Sequence, residues 1–482
     1  MSQSSVKVSY AALVASALWV PHPGNTSRPP RNAKLDFGPP NVPQGKAWNG
    51  QPKPGGPKGS KKVRNLILTI PDGFGPASEV FARDFVQWNN TATGWNRQLG
   101  SDKVQIGSIR TRSTDSYVTD SSASATAYSC AIKTYNGAVG IDEDGNPCAT
   151  VLEAAKRAGY TTGMVVTSRV THATPASFAS HIYDREAEPT IAEQIVGDQP
   201  LGRVTDLILG GGLSMFWPNT TTGSSRKDGP VRALMHFRGG KSAKLPYMGL
   251  FTASHMSYEV DRDPSVEPSL LEMTKTALET LKQATRNTKK GFFIMIEASR
   301  IDHAAHANDP VGHLHEIIMY NEVVDYLREW IDKNQDTVMI GTADHECGGL
   351  TLADLFAQYG ITDANSTEIA VAKANKGNTN FIDTHIGQAM GRRAMIKWGT
   401  GGHTAVDVNL IGYGPNIERM AGNRDNTEVG QFITDQLGLD LPSATTILND
   451  KKNEKWLVEK VGRDKVERGV RSLKKRHGHQ HD

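Results

Sequence analysis

The sequence predicts an α/β fold, a layered α/β/α arrangement with a large, mostly parallel central sheet, on three observations. Its strands read as unbroken Val/Ile/Leu/Phe runs, amphipathic helices fall between those runs, and the polar residues that interrupt the pattern gather just past the carboxyl ends of the strands. Unbroken apolar runs are what strands look like when both sheet faces are covered. Alternation of such strands with helices marks a layered α/β domain.

In chain order, residues 1–62 read as a leader. Tyr10 to Val20, YAALVASALWV, falls short of the roughly 20 apolar residues that a bilayer span needs. It reads as the apolar part of a signal peptide, the remnant of an anchor or an ordinary N-terminal strand, and as an anchor remnant it would carry membrane association. From Pro21 to Lys62 the chain is crowded with Pro, Gly, Asn and Lys and has little to bury, which predicts an extended or disordered stretch. One main domain is expected over 63–440. Its strands are VRNLILTI (63–70), TGMVVT (162–167), DLILG (206–210), GFFIMIE (291–297), DTVMIG (336–341) and VNLIGYG (408–414). Helices are expected over 149–158, 268–286 and 311–333; in the last, Leu314, Ile317, Ile318, Val324, Leu327 and Ile331 keep helical spacing. Residues 441–482 read as a basic tail ending in KKRHGHQHD.

Before the first of those helices lies YVTDSSASATAY (117–128), which has three serines and small residues where a core would carry Leu or Ile. Asp120 or Ser121 suits an N-cap, and the Ala-rich turn that follows favours helix. Unpaired N–H groups of a first helical turn attract anions, and small side chains let an anion approach the backbone. Two readings stay open here: a nucleophilic Ser121 on an anion-binding helix terminus, or an ordinary small-residue helix start.

Composition narrows the function. With 482 residues, 38% apolar and 22% charged, the chain can build one large α/β domain with insertions. A net charge of only +3, and no nucleic-acid-binding motif, argue against nucleic acid as a partner. Cys130, Cys148 and Cys347 are too few for a disulfide scaffold; the first two can pair across a short loop and leave Cys347 free, or all three can be buried thiols. Sequons at Asn25, Asn89, Asn219 and Asn365 hint at secretion.

The strand ends carry the chemistry. The first strand runs into PDGFG with Asp72, the fourth ends on Glu297 and continues ASRIDHAAHANDP with Asp302, His303 and His306, and the fifth runs into TADHECGG with Asp344 and His345. GTGGHTAVD delivers His403 just before the last strand. That edge is where open α/β sheets bind ligands. Carboxylates mixed with imidazoles suit zinc, whereas carboxylate and hydroxyl oxygens alone suit magnesium. Asp302 and His306, four residues apart, share one face of a helical turn. Jointly these residues are expected to hold metal ions.

LILTIPDGFG, YVTDSSASATAYSCAIKTYNGAVGID, THATPASF, EASRIDHAAH, TADHECGGL and WGTGGHTAVD stand in the order and at the spacings of the alkaline phosphatase family, which the chain resembles over roughly Val63 to Leu439. In detail it looks closest to the fungal vacuolar-type members. The resemblance implies phosphomonoester hydrolysis through a phosphoserine on Ser121, with two Zn2+ and one Mg2+ per chain, a homodimer, and a vacuolar or secreted location. It implies a first zinc on Asp302, His306 and His403, a second on Asp72, Asp344 and His345, and magnesium on Asp72, Thr174 and Glu297. Arg185 in HIYDRE matches the arginine that clamps the phosphate, and His172 stands beside the magnesium site without being a ligand. Four departures accompany it: His172 where bacterial members commonly carry Asp, which implies weaker magnesium binding than theirs; Ser122 where Ala is usual, a change that is small sterically; Ala298 where Gly is common; and IPDGFG for the usual GDGMG. A sulfatase would need C/S-x-P-x-R after its nucleophile, and Ser121 is followed by Ser-Ala-Ser-Ala.

Overall fold

Each of the six apolar runs forms a strand, with ends within two residues of those expected. The computed structural model describes residues 62–89, 97–224, 243–352 and 396–466; the leader and the last residues of the basic tail lie outside the described residues. The strands are β1 (Asn65–Pro71), β2 (Gln105–Arg110), β3 (Thr161–Arg169), β4 (Leu207–Gly211), β5 (Tyr247–Leu250), β6 (Phe292–Ala298), β7 (Thr337–Thr342), the short β8 (Glu346–Cys347), β9 (Leu350–Leu352), β10 (Ile396–Trp398) and β11 (His403–Thr404), then β12 (Val408–Tyr413) and β13 (Gly422–Asp425). The main helices are α1 (Pro76–Asn89), α2 (Ser121–Cys130), α3 (Val151–Arg157), α4 (Ala173–Ala179), α5 (Glu188–Ile195), α6 (Leu270–Thr285), α7 (Arg300–His306), α8 (Pro310–Asp332), α9 (Thr427–Leu437) and α10 (Leu441–Leu448).

Caps set the helix starts. Thr150 with Glu153, and Ser269 with Glu272, form capping boxes that begin α3 and α6. Asp309 accepts from the Val311 N–H, and Pro310 fills the first position of α8, where its missing N–H costs nothing.

Among the described residues nine strands form one sheet in the order β13-β2-β12-β7-β1-β6-β3-β4-β5. All neighbours pair parallel except β12, which is antiparallel to both β7 and β2. Its apolar run reports cover on both faces, not direction, and the sheet is mostly parallel as expected. The central strands β1, β6 and β7 are buried at every position. β2, β5 and β13 had no sequence signal because QIGSIR, YMGL and GNRD leave several residues exposed or half-exposed and so keep no apolar run.

Residues 441–466 are not a free tail. Leu441, Ala444 and Leu448, spaced three and four apart, bury one face of α10, and Leu457, Val461 and Val466 pack with Ala138 and Ile141. Cys130 and Cys148 form a disulfide, and Cys347 is a buried free thiol. Among the described residues no helix is long and apolar enough to cross a membrane.

Beneath α2, fully buried His181 joins the Gly140 carbonyl through Nδ1 (2.6 Å) and the Glu153 carboxylate through Nε2 (2.9 Å). Burial alone would lower the His181 pKa; the Glu153 charge and hydrogen bond more than reverse it, so the net direction is upward. A histidine raised in the folded state stabilises fully below its unfolded pKa, and that contribution is lost as pH rises through the folded value. Glu153→Gln should therefore cost about 3–5 kcal/mol at pH near 6, as loss of one partner of a buried pair does, and less at alkaline pH. Urea midpoints at the two pH values check this; an equal loss at both would show that His181 is neutral throughout.

Candidate active site

β7, β1, β6 and β3 are consecutive in the sheet and parallel, so the segments leaving their carboxyl ends start about 5 Å apart. Asp72 directly follows β1, Glu297 is the penultimate residue of β6, and Asp344 lies two residues past β7. β3 leads to α4, whose N-cap is His172 and whose second residue is Thr174. β6 leads to α7, which carries Asp302 and His306 one turn apart. His403 arrives from β11, which pairs antiparallel with β8 and sets His403 opposite Cys347.

Among the described residues three donor groups result, each with its ligand atoms within 4.8 Å of one another: Asp302, His306, Cys347 and His403; Asp72, Asp344 and His345; and Asp72, His172 and Glu297. Asp72 is common to the second and third. Asp302 lies 3.3 Å from His306 and 3.5 Å from His403, and His345 lies 3.1 Å from Asp344 and 3.7 Å from Asp72. The His345 and His403 rings stack with centroids 3.4 Å apart. Thr174 is fully buried, and its hydroxyl makes no hydrogen bond.

The electrostatics of this cluster are those of carboxylates short of a counter-charge. Burial, then the charges of Asp344, Asp302 and Glu297, push the Asp72 carboxyl well above the usual carboxylate range. Burial likewise pushes Glu297 up to about 8. Asp302 goes the other way despite its burial, because the facing His306 and His403 imidazoles hold it well below the usual range, and the adjacent Asp302 carboxylate lifts His306 to about 9.

Ser121 occupies the first position of α2, with Asp120 as N-cap. Its Oγ is 3.2 Å from His345 Nε2, beside the donor groups. The Asp120 carboxylate organises the helix start: Oδ1 accepts from the Ala123 N–H (2.9 Å), and Oδ2 accepts from the Ser122 hydroxyl (2.7 Å), the Gly137 N–H (3.0 Å) and Arg185 (3.0 Å). All ten residues of α2 are buried, and the helix packs closely on α4, with the Ser129 hydroxyl donating to the Ser177 carbonyl at 2.6 Å. The small residues of SSASATA thus permit helix-to-helix approach as well as an open helix start. Sequence reasoning missed the Ser122 hydroxyl, which also accepts from the Gly137 N–H at 3.1 Å; nothing local in DSSAS reveals a partner fifteen residues on.

Arg185 reaches this end of α2 and also lies 3.2 Å from His172 Nε2. His172, expected beside the magnesium ligands, brings a ring nitrogen into the group with Asp72 and Glu297. His303 joins none of the three groups and instead meets His255 and His172 edge to face at 4.4 and 5.4 Å.

The sequence matches the alkaline phosphatase family over residues 63–236 and 230–439. It is 40% identical over 451 residues to the alkaline phosphatase of Schizosaccharomyces pombe, covering 81% of this chain and 84% of that one. To the repressible alkaline phosphatase of Saccharomyces cerevisiae it is 38% identical over 480 residues, covering 82% and 85%. Among solved structures, the Thermus thermophilus alkaline phosphatase superposes with a TM-score of 0.63 at 27% identity over 79% of this chain and 92% of that one. The cold-active enzyme of Shewanella sp. gives 0.63 at 27% over 77% and 99%. Similarity of that extent, running through every segment that feeds the cluster, shows that the chain belongs to the alkaline phosphatase family and is a phosphomonoesterase.

Proposed function

We propose that the chain hydrolyses small phosphomonoesters in two displacements through a phosphoserine on Ser121, with two zinc ions and one magnesium ion held beside it. The observation that carries this reading is the place of the Ser121 Oγ, at a capped helix start and 3.2 Å from His345 in the midst of the donor groups. Asp302, His306 and His403 would hold one zinc, Asp72, Asp344 and His345 the other, and Asp72, Thr174 and Glu297 the magnesium. These residues fit such ions. Both oxygens of Asp72, and Glu297 Oε1, Asp302 Oδ1, Asp344 Oδ2 and Thr174 Oγ1, are buried and take part in no hydrogen bond, a costly state that cations relieve. Imidazole-bearing groups suit zinc, and the all-oxygen set suits magnesium. A variant of the TAB5 alkaline phosphatase, 27% identical with a TM-score of 0.59, has Mg bound in its M3 site, which supports magnesium at the third site.

Bound there, the cations would supply positive charge for the attacking and leaving oxygens of an in-line displacement. In the first displacement Ser121 Oγ loses its proton to water and bonds to phosphorus as the ester P–O bond breaks, and the alcohol leaves with a proton from water. The first-turn N–H groups of α2 draw the phosphoryl oxygens. Arg185, steered by Asp120, offers a planar pair of donors to two of them. In the second displacement water attacks phosphorus, the Oγ–P bond breaks, and inorganic phosphate departs with the serine hydroxyl restored. Acid quenching during turnover of a phosphomonoester should leave phosphate on Ser121, read by peptide mass spectrometry. Label confined to Ser122 or Ser124 would overturn the assignment.

A further inference from the structure

We infer that Glu186 sets how tightly the site holds phosphate: its carboxylate sits beside Arg185, keeps product phosphate weakly bound, and disfavours phosphomonoesters whose alcohol part carries further negative charge. The inference rests on the reading above, in which Arg185 holds two phosphoryl oxygens, and adds to it a residue that selects among substrates.

Three groups of different kinds surround the Arg185 guanidinium. Nη1 donates to Asp120 Oδ2 at 3.0 Å, and Nη2 lies 3.2 Å from His172 Nε2. Nε lies 3.8 Å from Glu186 Oε1, too far for a hydrogen bond but close enough for an ion pair. The two carboxylates differ in what else they do. Asp120 also accepts from Ala123, Ser122 and Gly137, so it builds the helix start. The Glu186 carboxylate has Arg185 as its one described partner, and its side chain is 80% exposed. An exposed pair of this kind adds little to folding. Its effect is on the charge that an incoming anion meets.

The backbone keeps that charge in place. The Arg185 N–H donates to the Gly137 carbonyl at 2.9 Å. Asp184 then closes a turn, its Oδ1 accepting from the Glu186 N–H at 3.0 Å and its carbonyl from the Ala187 N–H at 3.1 Å, just before α5 begins. Gly137 itself donates to Asp120, so Arg185 and its acidic neighbour hang from the loop that caps α2.

A phosphate bonded to the guanidinium lies within roughly 10 Å of the Glu186 carboxylate, about one Debye length at 0.1 M salt. Between exposed charges at such range the effect is modest, about 2- to 5-fold in affinity. It bears on bound ester, transition state and product alike, so it belongs in KM and in product inhibition rather than in the chemical step. An alcohol part bearing a carboxylate is repelled further, whereas a neutral one is not.

The test compares the metal-loaded full chain with Glu186→Gln and Glu186→Lys, using inorganic phosphate as inhibitor and phenyl phosphate and carboxyphenyl phosphate as substrates. At low salt Glu186→Gln should lower the phosphate inhibition constant and the KM for phenyl phosphate together by about 2- to 5-fold, without raising kcat, and Glu186→Lys should lower both further. The gaps should close at about 1 M salt, where the Debye length is about 3 Å. kcat/KM should rise more for the carboxylate-bearing ester than for the neutral one. Equal constants in all three proteins at low salt would overturn the inference, as would a shift that keeps its size at high salt, which marks geometry rather than charge. An equal rise for the two esters would overturn the selection among substrates. Arg185→Gln separates this inference from the reading beneath it. If phosphate inhibits that variant as strongly as wild type, the phosphate clamp falls and the inference with it; if inhibition is lost there while the Glu186 series stays flat, the inference alone falls.

Discussion

Replacing Ser121 by alanine should lower kcat by about 1,000-fold or more, the scale on which loss of a nucleophile acts, with metal content unchanged and no phosphorylated intermediate. The side chain is small and buried, and its one described partner is His345, so the substitution removes an attacking oxygen and little packing. Ser122→Ala is the control one residue away. It deletes the hydroxyl that donates to Asp120 and accepts from Gly137, a loss of about 1 kcal/mol, or roughly tenfold at most. Equal losses for the two variants would mean that the geometry of the helix start, rather than the Ser121 oxygen, limits turnover. Single-turnover rates and zinc and magnesium analysis on the same preparations separate the two outcomes.

Ser121 is legible from the small residues of a helix start, and much of the rest of the cluster for a different reason. Buried parallel strands leave long apolar runs, and a polar residue just after such a run is at the ligand-binding edge whatever the rest of the topology; Asp72, Glu297 and Asp344 were legible in this way. Asp302 and His306 were legible from one helical turn. Strand direction was not: β12 reads like β7 because both are covered on two faces. The links made by tertiary register were hidden as well. Cys347 meets His403 through a pair of two-residue strands, too short to show any periodicity, and so it read only as a free or buried thiol. His303, read as one more polar residue past a strand, is turned toward His255, which arrives from a segment some fifty residues away in sequence. The apolar positions of α10 were overlooked beside the basic residues that follow them.

Asp72 offers the sharpest separation of ion binding from folding, because it serves two donor groups at once. Asp72→Asn should remove about two of the three metal ions proposed above and lower kcat on the order of 1,000-fold, whereas His403→Ala, which touches one group, should remove about one. The same substitution should have opposite effects on stability with and without metal. In the metal-free protein the Asp72 carboxyl is raised well above its usual pKa by burial and by Asp344, Asp302 and Glu297. A carboxyl raised in the folded state favours folding below its unfolded pKa of about 3.9 and loses that advantage as pH rises through the folded value. At neutral pH it is therefore a destabilising residue, by about 1.4 kcal/mol for each unit of elevation. An isosteric amide removes that penalty, so chelated Asp72→Asn should melt higher than chelated wild type at neutral pH, with the gap closing on acidification. In saturating zinc and magnesium the order should invert, because only the wild type gains the full stabilisation from ions that bind the folded state. Thermal melts of both proteins with chelator and with metals, at acidic and neutral pH, supply the comparison. A variant that melts lower than wild type under both conditions would show that Asp72 holds the fold through contacts other than a shared cation site.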